Sequence, residues 1–247
     1  MFDEYPSPDD FKNIYCDQMQ FDKLDPFIDF FKNAKQYGDI RDLTTLRERL
    51  VIEDFVRTYH NHYRKTLMSY SFSKYYYDKG IPDSFADCTS LDHRRRIGFE
   101  YHADLFFFKL FSTLEMIAHI LNRRFRIDFA SEKVSFKKVT DKVLKLKATS
   151  SDAGLLYIAD ILDTITRSKA FTSADKYRNA LTHRNPPLHD TIWVKGDTIA
   201  VSAPNSTTCS QVFSIMNDSL DLLHELLLSL KQLASISGNW YIEETTP

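Results

Sequence analysis

The chain has 247 residues, 43% of them hydrophobic, so it can build one large core or a core with an appendage. Its three cysteines lie far apart in sequence, which argues against a disulfide framework and against a zinc knuckle. No stretch approaches the roughly 20 apolar residues of a membrane span, and the net charge of −2 does not by itself point to any partner. The chain has only six glycines and long helical patterns, which predict an all-α bundle.

The first twenty residues are acidic and are interpreted as an irregular arm, followed by a single helical domain over residues 21–247. The start of the chain lacks the basic-then-apolar order of a signal peptide. We therefore expect a cytoplasmic protein without a membrane partner.

Helices dominate the predicted elements after this arm. Apolar residues recur at helical spacing in several segments. The predicted helices cover about 25–37, 43–70, 91–125, 136–147 and 152–168, then a motif helix that starts near Thr172, and finally 210–235. The segment 91–125 is apolar on most faces, so it should be the central buried helix, with the phenylalanine run 106–108 in the core.

Two further patterns lie near the end of the chain. Residues 191–194 and 198–201 flank a Lys-Gly-Asp turn and predict a small β-hairpin near 190–202. The last helix repeats apolar residues at alternating steps of four and three, which predicts a packing seam. The seam residues are Met216, Leu220, Leu223, Leu227 and Leu230.

The segment 177–187, Tyr-Arg-Asn-Ala-Leu-Thr-His-Arg-Asn-Pro-Pro, carries the most chemistry. A hydroxyl N-cap at Thr172 or Ser173 would start its helix, and the two prolines must end it. The helix carries Arg178, Asn179 and His183. Arginine binds phosphate in a bidentate manner and histidine moves a proton near neutral pH, so this set could attack a phosphodiester without a metal ion or cofactor.

Helix geometry limits how these side chains can meet. Asn179 and His183 are four residues apart and share a face, so they could form a hydrogen bond. Arg178 and His183 are five residues apart, about 140° around the axis, so one straight helix cannot direct both at one phosphate. Either the last turn unwinds before Pro186, or a second copy of the helix supplies the missing group.

The spacing of arginine and histidine alone decides nothing. An arginine followed five to seven places later by histidine should occur roughly once or twice by chance in such a chain. It occurs here also at Arg57 and His62, at Arg95 or Arg96 and His102, and at Arg184 and His189.

The six residues from Arg178 to His183 resemble the signature of the HEPN superfamily: an arginine, a polar residue that is often asparagine, three to five further residues and a histidine near a helix end. The resemblance implies an HEPN-like helical core over about 90–235. Many members are metal-independent ribonucleases of toxin, defence or RNA-processing systems, and they usually act as homodimers with two facing motifs. Some carry a tyrosine two residues after the histidine that an antitoxin modifies; Asn185 stands there in this chain.

The resemblance also assigns roles to residues. It implies a catalytic set of Arg178, Asn179 and His183 acting on RNA, with no metal and no cofactor. Lys176 and Arg184 flank this set and are predicted to bind neighbouring phosphates. The sequence does not identify a neutralising protein partner.

The charge of the chain is unevenly distributed. Residues 1–54 carry −6, residues 55–185 carry +9 and residues 186–247 carry −5, which together give −2. The positive middle segment contains the motif and would attract a polyanion, although solvated helix faces explain such charge equally well.

The alternative is a non-catalytic helical module that binds a nucleotide or a protein. Arg178 would then form a salt bridge with Asp175, and His183 would cap its helix end. Glu115 and His119, four residues apart, could support the motif or form a buried hydrogen bond without a chemical role. The chain has no Gly-rich phosphate loop, GxSxG or HExxH motif.

Overall fold

Long helices dominate the computed structural model, which describes residues 6–10, 26–27, 43–83, 87–182, 187–188, 191–195, 198–202 and 207–237. The helices are α1 (Leu43–Asp78), α2 (Ser90–Arg124), α3 (Phe136–Lys147), α4 (Ala153–Arg167), α5 (Lys169–Thr182) and α6 (Cys209–Ser237). The helical architecture predicted from composition is confirmed. Most of the acidic arm and of the predicted helix 25–37 lies outside the described residues.

Two short strands, β1 (Thr191–Lys195) and β2 (Thr198–Ser202), lie between α5 and α6. They pair in an antiparallel register in which Thr191 is opposite Ser202 and Lys195 is opposite Thr198.

Helix α1 continues beyond its predicted end near residue 70. Serines inside it do not break the helix, because the hydroxyls of Ser69 and Ser71 donate to the carbonyls of Lys65 and Leu67 one turn earlier. The chain leaves the helix at Gly80, whose φ of 81° lies in the left-handed region that glycine adopts without strain. The tyrosine-rich segment before this glycine is therefore helical.

The described chain forms two units. The first includes Arg64–Leu110 and Lys169–Asp221, and its core is rich in aromatic rings. The ring of Phe213 on α6 stacks on Tyr77 at 4.3 Å and on Tyr70 at 5.9 Å, both on α1. Helices α1 and α2 approach closely at Gly98, where a Cβ atom would lie 2.7 Å from the Tyr76 ring. Any larger residue at this position would have to displace that ring.

The second unit includes Phe111–Ser168. Here α3 packs against α4, and both helices have side-chain N-caps. The Ser135 hydroxyl accepts from the Lys138 N–H at the start of α3, and the Asp152 carboxylate accepts from the Leu155 N–H at the start of α4. The apolar face of α4 is buried, which explains why its periodicity predicted its bounds to within a residue. Its buried side chains include Leu155, Ile158, Leu162 and Ile165.

The central helix α2 is not buried on every side. Phe106 and Phe107 are fully buried, but 41% of Phe108 is exposed. The prediction that the whole run 106–108 lies in the core is therefore wrong for its last member. Three consecutive helical residues span about 200° around the axis, which is wider than the face that packs on the core.

In the described part of the chain, no helix combines the length and the apolar character that a membrane span requires.

Candidate functional site

Helix α5, which carries the arginine–asparagine pair, begins at Lys169 and not near Thr172. Ser168 is extended, with a ψ of 151°, and its N–H donates to the Ile165 carbonyl at the end of α4. The next residue already starts the new helix. The predicted N-cap at Thr172 or Ser173 is therefore wrong, because both residues lie inside α5. The prediction rested on hydroxyl side chains as a start signal, but serine and threonine also occur inside helices.

Tyr177 anchors α5 to α2. Its ring is buried, with its centroid 4.3 Å from that of Phe107, and its hydroxyl donates a 3.0 Å hydrogen bond to Asp104 Oδ1. Ala174, one turn earlier, is also buried, whereas Phe171 is only half-buried. This arrangement fixes the rotation of α5, so the residue after Tyr177 is presented at a defined angle.

The anchoring hydroxyl is a hydrogen-bond donor and not a reactive acid. Burial raises the pKa of Tyr177 well above its usual 10, and the charge of Asp104 adds to this effect. The phenol therefore stays protonated at neutral pH.

Arg178, Asn179 and Asp175 are joined by hydrogen bonds on the surface of α5. Arg178 Nη2 donates to Asp175 Oδ1 at 2.9 Å and to Asn179 Oδ1 at 3.1 Å. The Asn179 amide nitrogen donates to the other carboxylate oxygen of Asp175 at 3.1 Å. Asp175 therefore orients both polar residues of the motif.

The guanidinium remains accessible in this network. The side chain of Arg178 is 29% exposed and that of Asp175 is 39% exposed. Ion pairs at such exposure contribute about 0–1 kcal/mol. The ion pair between Arg178 and Asp175 is therefore weak.

Lys176 is exposed, but the helix does not bring it to Arg178. Two residues along a helix correspond to about 160° around its axis, so these two side chains lie on nearly opposite faces of α5. A phosphate held by Arg178 is not within direct reach of Lys176 of the same copy.

His183 and Arg184 lie outside the described residues, so the predicted hydrogen bond between Asn179 and His183 stays a prediction. The described helix ends at Thr182, whose hydroxyl donates to the Asn179 carbonyl at 2.9 Å.

Sequence reasoning missed a row of charged residues on α2. Arg96, Glu100 and Asp104 follow each other at intervals of four and share one helical face. Arg96 is 3% exposed, and its Nε donates to Glu100 Oε1 at 2.8 Å. Glu100 also contributes to the raised pKa of Tyr177. The four-residue spacing could have revealed this row from the sequence. The hydrogen bond of the row to Tyr177 could not be found in this way, because Asp104 and Tyr177 are 73 residues apart.

The second polar pair of the sequence, Glu115 and His119, belongs to the other unit. The imidazole of His119 stacks on the Phe55 ring at 4.7 Å. Burial lowers the pKa of His119, and the charge of Arg123 lowers it further. The ring is therefore neutral at pH 7 and acts as a packing group.

Among the described residues, no group of three or more histidine, cysteine, aspartate or glutamate side chains could hold a metal ion. Cys88 and Cys209 are free thiols, and burial raises the pKa of Cys209 to about 12.

Comparison with known families decides the membership of the chain. The family of Cthe2314-like HEPN domains matches residues 55–234, which is nearly three quarters of the chain. The chain belongs to this HEPN family. No curated protein and no solved structure gives a significant match.

The HEPN match contains α2 to α5 completely, together with most of α1 and α6. It begins within α1, earlier than the core predicted from residue 90. It includes the interval 178–183, but family membership alone gives no role to any side chain within it.

Proposed function

We propose that this HEPN protein is an RNA endonuclease that requires no metal ion and acts through Arg178, Asn179 and His183. The proposal rests on the position, exposure and partner of the Arg178 side chain. Its guanidinium lies on a helix fixed by Tyr177, is partly exposed, and is held in place by a weakly bound carboxylate. Such a group is ready to bind a phosphate.

The proposed reaction uses the RNA's own 2′-hydroxyl as the nucleophile. His183 takes the 2′-hydroxyl proton or gives one to the leaving 5′-oxygen, and water carries the other proton. The 2′-oxygen attacks the adjacent phosphorus as the bond from phosphorus to the 5′-oxygen breaks. Arg178 stabilises the charge that develops on the phosphoryl oxygens, and Asn179 orients His183 or the phosphate. The products are a 2′,3′-cyclic phosphate and a 5′-hydroxyl.

The site is proposed to be composite, made by two copies of the chain. Arg178 and His183 lie about 140° apart around one helix, so a homodimer with facing motifs can bring them to one bond. Lys176 and Arg184 would contact neighbouring phosphates, with Lys176 acting on a strand that passes the opposite face of its own helix. Toxin, defence and RNA-processing roles all fit such an activity.

The test is cleavage of RNA in EDTA by wild type, Arg178→Ala and His183→Ala. We expect wild type to cleave RNA but not DNA of the same sequence, and each variant to lose at least about 100-fold in rate. Arg167→Ala is the matched control, because it removes an exposed arginine that pairs with Asp163 on α4. Equal rates for wild type and both motif variants would reject the catalytic assignment.

A non-catalytic binding module is the second candidate, and the ion pair between Arg178 and Asp175 favours it. This is the contact expected if Arg178 has only a structural role. In that case neither wild type nor any variant cleaves RNA. Arg178→Ala and Asp175→Ala would each lower the free energy of unfolding slightly. The double variant would lower it by less than the sum of the two, because both remove the same ion pair.

A further inference from the structure

The segment 123–147 of the second unit concentrates positive charge. It contains nine basic and three acidic side chains, a net charge of +6 in a chain whose total is −2. The basic residues are Arg123, Arg124, Arg126, Lys133, Lys137, Lys138, Lys142, Lys145 and Lys147. Helix α3 carries more than half of them.

Helix α3 separates its charge from its core. Its buried side chains are Phe136, Val139, Thr140 and Val143. Its exposed positions are Lys137, Lys138, Asp141, Lys142 and Lys145, which fall within an arc of about 140°. We call these five positions the lysine face of α3.

Three lysines of this face have no acidic partner in the part of the chain that the structure describes. Lys74 pairs with Asp78 at 2.7 Å on α1, and Lys147, at the end of α3, pairs with Asp160. In contrast, Lys137 and Lys145 form no ion pair within the described residues, although Asp141 lies one turn from each. Lys142 also forms no ion pair within the described residues. Their charge is therefore available to a ligand.

The face is carried by a rigid support. The Asn122 side chain donates to the Phe129 carbonyl at 3.0 Å and accepts from its N–H at 3.1 Å, which closes the connection between α2 and the 3-10 turn Ser131–Lys133. Within this loop, Arg126 and Asp128 hold left-handed φ values of 47° and 64°. Such conformations persist only where the surrounding structure fixes them. A ligand would therefore meet a preorganised surface and would not have to order it.

We propose that the lysine face of α3 binds the sugar–phosphate backbone of nucleic acid, and that it holds the RNA substrate in this way. The second part rests on the proposed function, whereas the binding itself does not.

The geometry of the face fits a nucleic-acid strand. Lys137 and Lys145 are eight residues apart, about 12 Å along the helix axis. In a double helix, phosphates of one strand follow each other at about 3.4 Å of rise along the axis, so the face extends over roughly three or four of them. Lysine is a compact point charge that suits phosphate contact but does not read base edges.

The composition of the face argues against other partners. The exposed positions of α3 carry no apolar side chain that could insert into a membrane surface. They also carry no aromatic ring on which a base could stack, so binding should be independent of sequence and sensitive to salt.

The experiment measures binding of a labelled single-stranded DNA by fluorescence anisotropy over a range of salt. DNA lacks the 2′-hydroxyl, so the proposed reaction cannot consume the probe. The test variant combines Lys137→Gln, Lys142→Gln and Lys145→Gln. The control variant combines Arg57→Gln, Arg64→Gln and Lys65→Gln at exposed positions of α1, and both variants carry a net charge of −5 in place of −2.

We expect the α3 variant to bind at least about tenfold more weakly at low salt, with its slope of log affinity against log salt reduced by about 2. The α1 control should stay within about twofold of wild type, and replacement of the same three α3 lysines by arginine should preserve binding. Circular dichroism checks that all variants remain helical.

Three results would overturn the inference: no binding by wild type, equal weakening of the two glutamine variants, or equal competition by a polyglutamate peptide. Failure of the proposed function gives a different pattern. Binding would then depend on the α3 lysines while RNA stays uncleaved.

Discussion

His102 shows how burial decides the chemistry of a single residue. Its ring stacks on Phe72 at 4.5 Å and lies near Tyr76 at 6.1 Å, both on α1. Its Nδ1 is buried and has no hydrogen-bond partner among the described residues. Burial lowers the pKa of His102 to about 4, so this histidine packs as a neutral aromatic ring and is not a proton donor at pH 7.

This lowered pKa predicts a pH-dependent stability. The unfolded chain binds a proton at His102 below its ordinary pKa of about 6.5, whereas the folded chain does so only near 4. The contribution of His102 is therefore complete above pH 6.5, falls progressively as the pH drops from 6.5 towards 4, and is fully lost below 4. Between pH 7 and pH 4.5 this loss amounts to about 1–2 kcal/mol, because the partial exposure of His102 lets solvent screen part of the effect.

Urea unfolding of wild type and His102→Phe at pH 7 and pH 4.5 measures the effect. The variant should lose about 1–2 kcal/mol less of its free energy of unfolding than wild type over this interval. Tyr101→Phe, at the neighbouring exposed position, should follow wild type. Equal losses for wild type and His102→Phe would show that the histidine is protonated in the folded state.

The residues around Arg178 show how far sequence reaches at this scale. Asp175 could be predicted as a partner because it lies three residues away on the same helix. The bond between Asp175 and Asn179 follows the same periodicity, but the one hydrogen bond predicted as possible for Asn179 was with His183. Asp104 could not be predicted, because nothing local in sequence connects it to Tyr177.

At the scale of whole elements, apolar periodicity predicted the helix bounds and buried faces that packing in the core determines. Helix α3 has the bounds that were predicted, and all five residues of the seam on α6 are buried. Errors occur where local bonds decide the outcome. The serines of α1 bond to their own helix and let it continue, and the single extended residue Ser168 separates α4 from α5.

The anchor of α5 gives a prediction at this scale. Tyr177→Phe removes the hydrogen bond to Asp104 but keeps the buried ring, so the free energy of unfolding should fall by about 1–3 kcal/mol. Amide hydrogens of α5 should exchange faster, while those of α3, in the other unit, should change less. Under the proposed function, RNA cleavage should fall while the chain remains folded.

Tyr157→Phe is the matched control, because Tyr157 donates to Gln232 at an exposed site. Loss of the Tyr157 hydroxyl should lower the free energy of unfolding by less than about 1 kcal/mol, since water replaces the lost hydrogen bond. If Tyr177→Phe is no more destabilising than this control, Tyr177 does not anchor the helix.

For the molecule as a whole, neither unit is a continuous piece of chain. The divisions at residues 63/64, 110/111 and 221/222 fall inside α1, α2 and α6. The HEPN match correspondingly runs through segments of both units. Cutting at these points would break helical hydrogen bonds, so functional tests require the full chain.

The proposed composite site predicts that two inactive variants restore activity when they form a mixed dimer. If Arg178 of one copy and His183 of another act on the same bond, a mixed dimer of Arg178→Ala and His183→Ala chains contains one site with both groups. Equal amounts of the two inactive variants, mixed and allowed to exchange, should recover roughly a quarter of wild-type cleavage, because half of the dimers are mixed and each has one of two sites. Light scattering checks that both variants dimerise.

Mixing either variant with the Arg178→Ala/His183→Ala double variant is the control, since no pairing then restores both groups to one site. An inactive mixture of two single variants that do form dimers would contradict the composite site. It would place both groups in one copy, with the last turn of α5 unwound before Pro186 to overcome the 140° between them.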